Sequence, residues 1–111
     1  MNKIDRANNV KFAAYMLTIA EREERHAEEA LRIQDATYAR LRMRGNSEVR
    51  TGRLSERAAE RYQRIIVDQQ YREVEGAESV HLYKKRMVVR ARRRLDKTIA
   101  ASAGLVIKIA P

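Results

Sequence analysis

From Ile4 to Met43 apolar residues recur at steps of three, four or seven, with charged residues prominent between them. One row reads Val10, Ala13, Leu17, Ala20, Ala27, Leu31, Tyr38, Leu41, the pattern of a helix that lays one narrow face against a partner helix. No Pro or Gly interrupts the stretch, and Ala, Glu, Arg and Leu dominate it, so the spacing predicts a helix over about 4–44. Gly45 follows Arg42 and Arg44 and reads as the helix stop, with basic side chains against the carbonyl end of the dipole. Asn46, Ser47, Thr51 and Gly52 extend the interruption into a loop over 45–55.

Ser55 can cap a second helix, predicted over about 56–102, in which Ala59, Tyr62, Ile66, Val74, Ala77, Val88, Ala91, Leu95 and Ile99 keep helical spacing. Gly76 is its interior weak point. A glycine there costs about 1 kcal/mol relative to alanine, which leaves open a kink or the start of a third helix. Gly104 ends the pattern, and the tail over 103–111 carries the β-branched run Leu105-Val106-Ile107-Lys108-Ile109. With no second strand to pair with, this run either joins a sheet elsewhere or folds back on the open end of the helices. The fold expected is all-α: a long antiparallel helical hairpin, one domain over 1–111, with a short extended C-terminal tail.

Composition makes that hairpin slender. Aromatic residues amount to 5% of the chain, Trp is absent and there is one Phe, so little bulky material is available for a globular core. Several seam positions are alanines, each burying little area, and such a seam has to be long to be stable. Cys is absent, which removes disulfides and thiolate metal sites. No apolar run reaches the ~18 residues of a membrane span, and the first residues lack the pattern of a signal peptide, so the expected location is cytoplasmic or within a particle such as a virion.

Charge adds the most. The net charge is +9, yet the chain from Gly76 onward holds nine basic residues against two acidic ones. Lys84, Lys85, Arg86, Arg90, Arg92, Arg93, Arg94 and Lys97 stand together against the single acid Asp96. A turn near residue 50 places this segment opposite Lys3–Met16, where Lys3, Arg6 and Lys11 outnumber Asp5. The acidic cluster Glu21, Glu23, Glu24, Glu28 and Glu29 falls, on that register, too far along the first helix to reach it. The expectation is therefore an unneutralised cationic face for a phosphate backbone or an acidic partner. Basic side chains spread around a helix hold phosphates better than they read bases, which implies low sequence specificity.

Both histidines follow a glutamate by three residues, as Glu23 with His26 and Glu78 with His81, so each pair shares a helical face. In this the chain resembles the ferritin-like di-iron proteins, which hold two metal ions between such pairs on facing helices. The resemblance covers these four residues only. Two further glutamates would have to come from dimerisation, so these are candidate ligands in a dimeric bundle and no cofactor is expected.

No nucleophile, phosphate loop or catalytic motif is present, and the chain is read as no enzyme. Three functional expectations follow in order: a structural subunit of a larger particle, such as a virion capsid, connector or tail component, packed through its seams against copies of itself or protein partners; a free nucleic-acid-binding protein; and the metal-binding bundle.

Overall fold

The structure, a computed structural model, describes residues 3–103 and is all-α, a helical hairpin with no strand among the described residues. Its elements are α1 (Lys3–Arg50), α2 (Glu56–Tyr62), a π-helical turn (Gln63–Val67) and α3 (Asp68–Ala103). The described residues up to His26 and from Leu82 form one compact unit, and Ala27–His81 form a second. The apolar tail expected over Leu105–Ile109 lies outside the described residues.

The first helix runs past its expected end. Gly45 lies inside α1, and the helix stops at Gly52, whose φ of +76° is the left-handed conformation that costs glycine little. There the Arg53 N–H donates to the Glu48 carbonyl at 2.8 Å and the Gly52 N–H to the Val49 carbonyl at 3.0 Å, the two bonds of a Schellman motif. The chain then re-enters helix at Ser55, as the sequence predicts. The Ser55 hydroxyl accepts from the Ala58 N–H at 3.2 Å and satisfies a donor that the helix itself leaves open.

Gly45 instead serves packing in the second unit. The Tyr62 ring lies where its side chain would be, so that a Cβ at residue 45 would stand 2.7 Å from Cε1 and 2.9 Å from Cδ1. The ring is also tethered at its far end, because the Tyr62 hydroxyl donates to the Leu41 carbonyl at 2.8 Å. Gly45→Ala is therefore expected to destabilise by roughly 1 kcal/mol net, since overpacking costs about 1–3 kcal/mol against the ~1 kcal/mol that alanine gains in a helix. In a Tyr62→Ala background the same change is expected to stabilise. Thermal unfolding of the four proteins of this cycle checks it, and stabilisation in both backgrounds would show that the ring does not occupy the site.

Nor does the second arm break at Gly76, which lies within α3 with open space around it. The irregularity is the π-helical turn, where the Asp68 N–H reaches back five residues to the Gln63 carbonyl and the Gln63 side-chain amide donates to Asp68 Oδ1 at 3.0 Å. Its cause is spacing. Tyr62 and Val67 both face the partner helix, Val67 being 1% exposed, and they are five residues apart where a regular helix needs three or four. Widening one turn absorbs the extra residue and keeps both on the seam. Ile66, expected there, is consequently 40% exposed, and Ile99 likewise gives its place to half-buried Thr98.

The seam expected for α1 is borne out. Val10, Ala13, Leu17, Ala20, Ala27, Leu31, Tyr38 and Leu41 are all buried or half-buried, and half-buried Glu24 and Gln34 fill the two gaps in the row. In the second unit the Gln70 side-chain amide donates to Gln34 Oε1 at 2.6 Å and to the Gln34 carbonyl at 3.2 Å. Tyr38 and Tyr71 meet with ring centroids 5.5 Å apart. A polar pair within a seam of small residues penalises any slipped register, which would leave the amides unpaired.

Candidate nucleic-acid interface

The cationic residues of α3 fall into two sets with different surroundings, both within the first unit. Seam spacing turns Lys84 toward α1, where its ammonium donates to Glu23 Oε2 at 2.9 Å. This hydrogen bond, helped by the charge of Glu23 and opposed by partial desolvation, holds the Lys84 ammonium above the usual lysine value of 10.5. Arg92 lies 3.6 Å from Glu21 Oε2.

The acidic cluster thus does reach the basic segment, contrary to the register expected from a turn near residue 50. Because α1 continues to Arg50, the reversal comes later, and each residue added before a reversal moves the facing positions by two. Glu23 rather than Met16 lies beside Lys84, a displacement of about two helical turns. Two of the eight basic residues are in this way paired with acids within the chain.

The other six are not. Among the described residues no acid pairs with Lys85, Arg86, Arg90, Arg93, Arg94 or Lys97. Arg86, Arg90, Arg93 and Lys97 follow one another at steps of four, three and four, so regular helix geometry stacks them on one face, away from the seam. Arg90, Arg93, Arg94 and Lys97 line a groove of about 800 Å³ on the side of α1, together with Arg6, Asn9, Phe12 and Ala13 of that helix and Thr98, Ala101 and Ser102 of α3. A shallower hollow of about 270 Å³ is lined by Lys85, Arg86 and Val89 and shares Arg90 and Arg93 with the groove. The two form one cationic surface with no acid in its lining.

Arg6 and Phe12 were not among the residues singled out from the sequence for this site. In sequence Arg6 is one of the cations opposite the basic segment, whereas Phe12 lies outside the main apolar row, in a second one with Met16 and Ile19. In the folded chain it is 54% exposed and opens into the groove, beside buried Ala13.

Of the candidate metal ligands, Glu23 and His26 belong to the first unit and Glu78 and His81 to the second. Glu23 is engaged through Oε2 by the Lys84 ammonium, whose positive charge beside the carboxylate opposes a metal cation there. No helix among the described residues is long and apolar enough to cross a membrane.

The chain matches no protein-family model, and comparison with curated proteins and with solved structures gives no match either.

Proposed function

We propose that this chain is a non-enzymatic helical subunit of a larger particle, for example a virion, and that the cationic surface of α3 lies against the backbone of the nucleic acid which the particle contains. The observation that carries this reading is the division of charge: Lys84 and Arg92 find acids inside the chain, while six cations and Arg6 converge on one surface without them. Cations kept together against their mutual repulsion, in a fold that has glutamates within reach of their neighbours, favour an anionic occupant from outside.

A second observation supports assembly. Among the described residues of the first unit Ala13 alone is a buried apolar side chain, while Phe12, Tyr15, Met16, Leu82, Tyr83 and Val89 are each between 40% and 61% exposed. So many large apolar groups left in water suit a surface that copies or partners cover.

Light scattering of the purified protein with and without a DNA duplex, at 50 mM and 500 mM salt, tests both parts. Expected are a mass above the 12.9 kDa of one chain and a DNA complex that high salt dissolves. A monomer that ignores DNA at both salts contradicts the reading.

A further inference from the structure

We infer that the groove holding Phe12 is a site for single-stranded nucleic acid, in which a base stacks on the Phe12 ring while Arg6, Arg90, Arg93, Arg94 and Lys97 hold the phosphates on either side. This rests on the nucleic-acid reading above and narrows it to one form of strand. Phosphate binding alone needs a convex or flat array of cations, such as the outer face of α3 would provide. The groove adds a concave volume of about 800 Å³ with the 54%-exposed Phe12 in its lining, flanked by cations contributed by two helices. An exposed aromatic ring among arginines is the combination with which proteins take up single strands without regard to sequence, because every base has a π-face and every nucleotide a phosphate.

The cationic surface to which the groove belongs, including Arg86 of the adjoining hollow, has a suitable length. Arg86 to Lys97 spans eleven residues of helix, about 16 Å at 1.5 Å per residue. That is the rise of about five stacked nucleotides at 3.4 Å each, within the ~4–16 nucleotides that single-strand modules occupy. Duplex DNA can use the same cations, but its base faces are hidden in the stack. To reach Phe12 a base has to be unpaired, which is already so in a single strand. Discrimination therefore comes from the ring, and general affinity from the cations.

The absence of Trp from the chain makes the test direct. Phe12→Trp keeps an aromatic face and introduces one reporter; Phe12→Ala removes the face. Binding of a mixed-sequence 12-nucleotide strand, as DNA and as RNA, is measured beside a 12-base-pair duplex and a polyglutamate peptide of equal charge. Circular dichroism of each variant checks that it folds, which exposure of residue 12 favours.

Expected are tighter binding of both single strands than of duplex or polyglutamate, loss of about 5- to 150-fold in single-strand affinity with Phe12→Ala, unchanged duplex affinity, and quenching of the Phe12→Trp fluorescence by the single strand only. If single strand and duplex bind alike and Phe12→Ala alters neither, the single-strand site is overturned while the phosphate surface stands. Polyglutamate binding as tightly as the strands overturns it in favour of an acidic protein. No binding of any polyanion overturns this inference and the proposed function together.

Discussion

Reversing Arg90 and Arg93 to glutamate together is expected to weaken nucleic-acid binding by about 4 × 10³-fold at 50 mM salt. These two residues are chosen because both hollows of the cationic surface share them. Each phosphate contact on a single strand contributes a salt slope of about −0.7, which at 50 mM amounts to roughly eightfold in affinity. Removing two contacts costs roughly 60-fold on that basis, and turning two attractions into two repulsions about squares the factor. Lys84→Ala and Arg92→Ala give the contrast, since their charges are already engaged by Glu23 and Glu21, and each is expected to cost only a few-fold. A gel-shift or anisotropy titration of the three variants reads the difference. Equal losses per unit of charge removed at paired and unpaired positions would mean that net charge, not the surface, governs binding.

The second large effect concerns the fold. Deleting Ile65 is expected to leave stability within about 1 kcal/mol of the parent, whereas deleting Ser79 is expected to cost about 3 kcal/mol or more. Ile65 is 49% exposed within the π-helical turn, and its loss returns Tyr62 and Val67 to a spacing of four, so that a regular helix carries both on the seam. Ser79 stands in regular α3, where losing one residue rotates everything after it by about 100°. Arg92 and Asp96 would then occupy the half-buried places of Ala91 and Leu95, and the cationic face would turn with them. Thermal unfolding followed by circular dichroism distinguishes the two deletions. Similar losses in both would show that the π-helical turn is no inserted residue.

Much of this fold is legible in the sequence because alternating steps of three and four admit one reading. The α1 row from Val10 to Leu41 is half-buried or buried as its spacing predicts, and Ser55 caps the helix expected of it. Its gaps at Glu24 and Gln34 look like interruptions only while polar residues are presumed to face water. Gln34 sits on the seam because Gln70 meets it there.

The misplaced helix stop at Gly45 has a plain physical origin. A glycine has no side chain whether it is there to adopt a positive φ, as at Gly52, or to admit a ring, as at Gly45, and spacing cannot separate the two uses. Reading Gly45 as the stop moved the reversal, and through it the whole facing register. A stop at Gly45 sets the basic segment against Lys3–Met16, out of reach of the glutamates that meet Lys84 and Arg92 in the folded chain. The π-helical turn was hidden for a related reason: between Tyr62 and Val67, Ile66 is as apolar as its neighbour, and only the seam decides which of them is buried.

For the site, the cations themselves were evident from the sequence, but their division was not. Which of eight neighbouring basic residues meets an acid depends on the facing register, and so did the place of Arg6 and Phe12 beside Arg90–Lys97. The register converts a charge run into two paired residues and one surface.

The most direct test of that surface is the salt dependence of its binding to a single strand. With the six unneutralised cations of α3 engaged, log K against log salt concentration is expected to fall with a slope of about −4, and Arg90→Ala with Arg93→Ala to make it shallower by about 1.4. A slope near zero, or one that the two substitutions leave unchanged, would contradict the account.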